Sequence, residues 1–427
     1  MTEYKLQNYS DGNIFEDTGW LLSDPKAIKP SLIRAVYKKK ELKVGPDSLG
    51  IYKYADWLPV NRFLKNSSST VTYKSIKLSE RVKLGNLFIS FSGYWPEIGA
   101  DMSTCSFKET EAYSVCARLT DKERGVMVVA SVGNTARAFA KVCSDNNIPL
   151  LLIVPEDNLD ALWFAKEINE NVKLICTPSG TDYYDAIELC SKVCSSPLFF
   201  EEGGAKNVAR RDGMGTTVLS AATKIGEIPD FYFQAIGSGT GTIAAWEANL
   251  RLIEDGNWGK KKMTLIPSQN APFTPMYDAW RAGCRDICFA DEVVAKENAL
   301  MIKAKVLSNR RPPYSIPGGL YDALKDCNGD VESVTNNELD AACSLFKECE
   351  GIDIHPAAGV ALAGMIKSLE RGNINRDSLI MLNITGGGEE RFKRDNRVIF
   401  MKPNIIIDNR DSIESITDRA ERIFRRD

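Results

Sequence analysis

The sequence predicts an α/β fold with two parallel sheets, and three observations carry that prediction. Between residues 125 and 203, short unbroken apolar runs (GVMVVAS, PLLLIVP, VKLICT) alternate with amphipathic stretches. A strand apolar on both faces belongs in a parallel sheet covered by helices, whereas a half-exposed strand alternates polar and apolar residues. The same alternation resumes after residue 204 with FYFQAIG, MTLIP and LIMLNI. Finally, three of these strands run into turns rich in glycine or asparagine: SVGNT, GSGTGT and TGGG. In open parallel sheets ligands bind at such carboxyl ends.

In chain order, residues 1–45 read as a weakly patterned arm without a strong helix signal, expected to pack on the main body or on a neighbouring subunit. IYKYADWLPV follows, then the strand candidate LGNLFIS and the aromatic, glycine-containing loop FSGYWPE. A helix is expected to open at Lys108, behind Ser103, Thr104, Cys105 and Ser106 as capping groups and with Glu109 and Glu111 in its first turn. The first series then predicts strands over 125–131, 149–155 and 172–177, helices over 136–145, 159–168 and 184–194, and the short strand PLFFEE. The second predicts a helix over 213–226, strands over 231–237 and 263–267, and helices opening in 312–324 and covering 339–351 and 360–372. A last strand enters TGGG within 377–388. The expected division is a larger body from 46–122 and 204–400, a smaller α/β body over 123–203, and a charge-rich tail over 401–427.

Composition narrows the function. In 427 residues, Lys plus Arg nearly balance Asp plus Glu, leaving a formal charge of -3. No polyanion partner is implied, so no nucleic acid is expected. No run approaches the ~20 apolar residues of a membrane span, and the polar, acidic N-terminus lacks a secretory pattern, so a cytoplasmic protein is expected without a membrane partner. The eleven cysteines form no CxxC pair, which predicts free thiols and no metal site. His355 is the only histidine. Schemes needing several histidines are thereby excluded, and a histidine beside a proline at a helix entrance reads as structural or as a pocket wall.

Lys108, among small polar residues at the mouth of a helix, is a candidate positioned amine. If partly desolvated it can form a Schiff base with a carbonyl; taken alone, a first-turn lysine is ordinarily a solvated face residue. Four loops supply context. Gly237, Ser238, Gly239, Thr240, Gly241 and Thr242 lie between a strand and a helix, and make a phosphate cradle from glycine backbone, hydroxyls and a helix N-terminus. The spacing matches neither a P-loop nor a dinucleotide fingerprint. In SVGNT, Asn134 offers an amide, and Ser131, Thr135 and helix-start N–H groups suit a carboxylate, with plain N-capping as the alternative use. Thr385 is a hydroxyl at a strand end. In EEGGAKNVARRDGMGT, Arg210 and Arg211, with Lys206 nearby, suit a phosphate or carboxylate.

An amine, a phosphate cradle, an amide for a phenolate oxygen, a hydroxyl for a ring nitrogen and arginines for an anionic substrate are what pyridoxal phosphate requires. The chain resembles the fold-type II pyridoxal-phosphate enzymes of the threonine synthase group, and within them the cysteate synthases. The likeness runs from about Trp57 to Gly388 through WLPV, FSGYWPE, CSFKE, SVGNTARAFA, EGGAKNVARRDGMGT, YFQAIGSGTGTIAAWEANLRL, PPYSIPGGLYDAL, EGIDI and TGGG. The resemblance implies two parallel-sheet domains with pyridoxal 5'-phosphate between them, and a homodimer; the arm and tail are candidate interface segments, the tail's charge-rich helix reading equally as a solvated cap. It implies that Lys108 carries the cofactor as an internal aldimine and moves the substrate's α-proton, and that Asn134 bonds the ring hydroxyl. The Gly237–Thr242 loop would hold the cofactor phosphate and Thr385 would face the pyridine nitrogen. Ser131 and Thr135 would bind the substrate carboxylate, and Arg210, with Arg211 or Lys206, its phosphate. The implied reaction is β-replacement on O-phospho-L-serine: phosphate leaves, and sulfite adds to the aminoacrylate to give L-cysteate. The chain departs from the methanogen cysteate synthases in having no cysteine before Cys105. A different nucleophile, threonine synthesis from O-phosphohomoserine, and a catalytically silent cofactor-binding homologue are the alternatives.

Overall fold

The computed structural model describes residues 2–120, 125–288, 291–372 and 374–425. Two parallel sheets dominate. The larger has six strands in the order Glu332–Val334, Thr264–Asn270, Phe231–Ala235, Leu379–Ile384, Asn86–Phe91, Val71–Lys74, all parallel except the last pair. The smaller has five parallel strands in the order Phe199–Glu201, Val126–Ala130, Leu150–Pro155, Val172–Thr177, Ile405–Ile406. Their central strands are buried on both faces, which is why they read as continuous apolar runs.

The N-terminal arm is more regular than its sequence suggests. Tyr4–Asn8 pairs antiparallel with Ile14–Phe15 and with Ile33–Tyr37. Leu6, Leu32, Ile33, Ala35 and Tyr37 are buried in one cluster with Val218, Leu219, Tyr232 and Trp246, so the arm packs on its own chain's larger sheet. At the other end, residues 401–427 do more than form a tail. Ile405–Ile406 adds a strand to the smaller sheet, and helix Ile413–Arg422 buries Ile416 and Ala420 against Leu189 and Val193 of helix Tyr183–Val193.

Helix Lys108–Arg118, expected with the larger body, buries Ala112, Tyr113, Val115 and Cys116 among Met127, Val129 and Leu150 beneath the smaller sheet. It also packs along helix Val208–Ile225, where Gly213 lies so close that a Cβ would meet the Thr110 carbonyl. The lysine therefore stands at a seam.

The expected helix over 159–168 does not form. A single 3-10 segment, Glu156–Ala161, is followed by the short strand Trp163–Phe164, which pairs with Ile399–Phe400. Trp163 is buried against Phe392, with the Arg137 guanidinium 4.2 Å from its ring centre, and this tertiary contact outweighs the helical periodicity. Arg210 and Arg211 are helical, in the first turns of Val208–Ile225, which begins earlier than expected. Among the described residues no helix is long and apolar enough to cross a membrane. The cysteines are unbonded: Cys105, Cys116, Cys143, Cys176, Cys190 and Cys327 are buried, and Cys284 and Cys288 are exposed.

Candidate active site

The loops following Val126–Ala130 of the smaller sheet and Phe231–Ala235 and Leu379–Ile384 of the larger converge on one cleft of about 120 Å³. Lys108, Ser131, Asn134, Thr135, Arg210, Gly237, Ser238, Gly239, Thr240, Gly241 and Thr385 line it, joined by Tyr183, Val306–Asn309 and His355. A larger cleft of about 700 Å³ lies by the N-terminal sheet around Tyr4, Asp17 and Arg118. Its charges are already matched, since the Tyr4 hydroxyl donates to Asp17 at 2.6 Å and Arg118 to the same carboxylate at 2.8 Å.

Lys108 opens its helix, and its N–H donates to Ser106 Oγ at 3.3 Å. The preceding loop is stitched to the TGGG turn: Phe107 N–H donates to the Thr385 carbonyl at 3.0 Å and Gly387 N–H to the Cys105 carbonyl at 3.1 Å. A Cβ on Gly386 would run into His355 Nδ1 and the Cys105 carbonyl, so only glycine allows this approach. The lysine side chain keeps 21% exposure, toward the cleft, with its Nζ 4.8 Å from the Phe107 ring centre. Burial holds its ammonium below the ordinary lysine range; Arg210 adds to that lowering and Glu111 opposes it.

Both first-turn acids are fully buried and do more than complement the helix dipole. Glu109 accepts from Thr104 N–H and Oγ1 at 3.1 and 2.8 Å and pairs with Lys141 at 3.0 Å. Glu111 pairs with Lys108 Nζ at 3.1 Å and with Arg210 at 3.1 Å.

In SVGNT, Ser131 Oγ accepts from Gly133 and Ala136 N–H, both at 3.2 Å, so the capping use is realised. Thr135 Oγ1 donates to Glu111 at 3.1 Å, which leaves its hydroxyl oxygen an acceptor and the loop's N–H groups as the donors an anion would need. Asn134 Oδ1 accepts from Arg137 Nη2 at 2.8 Å, and its amide N–H₂ is therefore the group left for an acceptor such as a phenolate oxygen.

At the cradle, Gly239 has φ 77°, in the left-handed region, and caps helix Thr240–Asp255. Ser238 and Thr240 hydroxyls lie 2.8 Å apart. Thr242 Oγ1 is buried without a hydrogen-bond partner, behind the helix start rather than on the cleft wall. An N-terminal helix turn with two clustered hydroxyls and glycine backbone fits a phosphate group. Together with the Lys108 amine and the Asn134 donor, the residues present fit pyridoxal phosphate.

The basic residues separate. Arg210 lines the cleft, held by two bonds to Glu202 and one to Glu111. Burial alone would lower it, but these two carboxylates outweigh burial and keep it firmly charged. Arg211 turns away: it is fully buried, pairs with Glu247 at 3.0 Å and donates to the carbonyls of Ala205 and Ile33. Lys206 is exposed at the end of a 3-10 turn outside the cleft. Adjacent positions on a helix point about 100° apart, so only one of the paired arginines can face the site. His355 forms part of the wall, with Nε2 3.1 Å from Glu389.

Sequence reasoning missed Glu111, Arg137 and Glu202. Glu111 and Arg137 carried a usable signal, being charged residues at i+3 of Lys108 and Asn134; Glu202 stands inside the candidate loop EEGGAKNVARRDGMGT, but only folding turns its carboxylate onto Arg210.

A family model described as pyridoxal-phosphate dependent enzyme matches residues 101–386. The chain is 46% identical over 396 residues to a cysteate synthase of Methanocorpusculum labreanum, covering 92% of this chain and 95% of that one. It is 43% identical over 425 residues to a cysteate synthase of Methanospirillum hungatei, covering 100% and 99%. Among solved structures, maize serine racemase superposes with a TM-score of 0.59 at 15% identity, over 76% of this chain and 91% of that one, and shares the fold. The fold alone would leave the family open, but identity at this level along almost the whole of both chains shows it: this protein is a pyridoxal-phosphate-dependent enzyme and belongs to the cysteate synthase family.

Proposed function

We propose that the enzyme converts O-phospho-L-serine and sulfite to L-cysteate and phosphate. What supports this reading is that two separate groups suited to anions line the cleft, the glycine turn at a helix N-terminus and the Arg210 guanidinium, which shares Glu111 with Lys108. The cradle accounts for the cofactor's phosphate. Arg210 is then left for a substrate anion, as a phosphorylated amino acid and an anionic nucleophile both need.

When bound, pyridoxal phosphate supplies an aldehyde that engages the substrate's amine and a ring that acidifies its α-carbon. The remaining work falls to the chain. Asn134 would hold the ring through its amide N–H₂, and Thr385 would offer the ring nitrogen a hydroxyl, not a carboxylate, which would moderate electron withdrawal. N–H groups at the start of helix Asn134–Asp145 orient the substrate carboxylate. Lys108 takes the α-proton and returns it after the nucleophile has added at the β-carbon. Phosphate departs toward Arg210, and the buried walls keep water from competing with sulfite.

We propose further that the chain acts as a homodimer in the cytoplasm. The exposed Val293, Leu300 and Met301 of helix Glu292–Met301, and Ile14 and Ile413 in the arm and tail, offer apolar surface for such a pairing, and light scattering at the mass of two chains would support it.

The test is to mix the purified enzyme with O-phosphoserine or O-phosphohomoserine, follow cofactor absorbance and phosphate release, and identify products by mass with sulfite, thiols and amines. Phosphate release from O-phosphoserine and cysteate formation with sulfite are expected. Release from O-phosphohomoserine alone would replace this reading with threonine synthesis, and a substrate-unresponsive spectrum would leave a silent cofactor-binding protein. Lys108→Ala is expected to abolish covalent cofactor attachment and turnover.

A further inference from the structure

Glu111 is an ionisable group at the centre of the cleft wall to which the reaction above assigns no task. It lies one turn beyond Lys108 on the same helix, with no solvent exposure. Three groups from three elements converge on its carboxylate. Lys108 Nζ is 3.1 Å from Oε2, while Thr135 Oγ1, from helix Asn134–Asp145, and Arg210 Nη1, from helix Val208–Ile225, each reach Oε1 at 3.1 Å. Glu109, equally buried two residues earlier, is turned the other way, to Thr104 and Lys141.

We propose that Glu111 is the built-in counter-ion of Lys108 in its free form: it receives the lysine ammonium during turnover and, through Arg210 and Thr135, ties that state to occupancy by an anionic substrate. This rests on Lys108 being the cofactor lysine. When Lys108 removes the substrate's α-proton, the C–H bond breaks with its electrons left on carbon, an N–H bond forms, and the nitrogen becomes cationic. It must hold that proton until the β-carbon has been substituted. A cation shielded from water is costly unless paired, and Glu111 supplies the opposite charge from the position it already occupies.

Among the described residues, the charged groups facing the pair are few. Lys108 and Arg210 are positive, Glu111 and Glu202 negative, and the Tyr183 hydroxyl, pushed upward by burial, adds no charge. The set is balanced, so an arriving phosphate that draws on Arg210 leaves Glu111 with less competition for Lys108. The ammonium is then best held when substrate is present. Because the Thr135 hydroxyl already donates its hydrogen bond to Glu111, the same carboxylate also orients the hydroxyl at the mouth of the substrate loop.

The experiment uses the cofactor-stripped full chain, so that its readout is the lysine and not turnover. Wild type, E111Q and E109Q are labelled across neutral to alkaline pH with a small water-soluble amine-reactive reagent, and modification of Lys108 is followed by peptide mass. Losing the counter-ion should favour the free amine, so E111Q is expected to label Lys108 about tenfold faster near neutral pH, corresponding to one pKa unit. E109Q should follow wild type. An unchanged Lys108 profile in E111Q overturns the proposal, as does an equal acceleration in E109Q, which would signal general loosening of the helix. Should E111Q not fold, Arg210→Gln approaches the same carboxylate from its other side. Removing that cation should slow Lys108 labelling several-fold, and an unchanged rate again overturns the proposal. If K108A still takes up pyridoxal phosphate with the wild-type absorbance, the cofactor-lysine reading has failed instead, independently of Glu111.

Discussion

Arg137 Nη2 donates to Asn134 Oδ1 at 2.8 Å, one helical turn away, while its other nitrogens bond the carbonyls of Thr104 and Ala161 and its guanidinium lies on Trp163. The contact leaves the N–H₂ end of the Asn134 amide free toward the cleft. Arg137→Leu is expected to free the amide and weaken pyridoxal phosphate binding about tenfold, the loss of one hydrogen bond's worth of orientation. Fluorescence titration of the stripped protein measures it; wild-type affinity would show that Arg137 does not act through Asn134.

Thr385 stands at the end of Leu379–Ile384, inside the cleft and 7% exposed. A carboxylate there would favour protonation of the ring nitrogen. Thr385→Asp should therefore shift the absorbance bands of the bound cofactor and change the rate of phosphate release. An unchanged spectrum and rate would mean that residue 385 does not face the ring.

Arg211 and Lys206 were expected beside the substrate and should instead separate by stability. Arg211→Met removes one member of a buried ion pair and strands Glu247 and two carbonyls, which costs about 3–5 kcal/mol. Lys206→Ala, at an exposed turn, should change stability by no more than about 0.5 kcal/mol and leave KM for the phosphorylated substrate unchanged. Denaturant melts and steady-state kinetics read both, and a large KM effect from Lys206→Ala would return that residue to the site.

Glu389 carries a pH dependence with a definite sign. Burial pushes its carboxyl upward, but His355, Arg137 and Lys393 outweigh burial and hold it down at about 2. A depressed carboxyl stabilises the fold above its ordinary value of 4.5, and that contribution is lost as pH falls toward 2. Wild type should therefore lose its stability advantage over Glu389→Gln as pH falls from about 5 toward 2, where the two converge. A margin independent of pH down to 2 would rule out the ionised carboxylate as its source.

Much of this protein is legible one residue at a time. Continuous apolar runs specify parallel strands because both faces of such strands must be covered, and glycine turns at strand ends specify where a ligand sits. Those two rules place Asn134, the Gly237–Gly241 cradle and Thr385 on one cleft; Lys108, alone an ordinary first-turn lysine, joins them through those loops and the family resemblance. Three features were decided only by tertiary structure. Trp163 could not leave the helical pattern until Arg137 and Phe392 were there to cover it. Arg210 and Arg211 are neighbours in sequence, but helix rotation sends one into the cleft and the other into the core. Glu111, a first-turn acid by sequence, becomes the junction of Lys108, Thr135 and Arg210 because helices from both sides of the seam meet at its carboxylate. Sequence periodicity records which faces are buried; it does not record which charged groups a buried face will meet, since those partners are set by contacts made far along the chain.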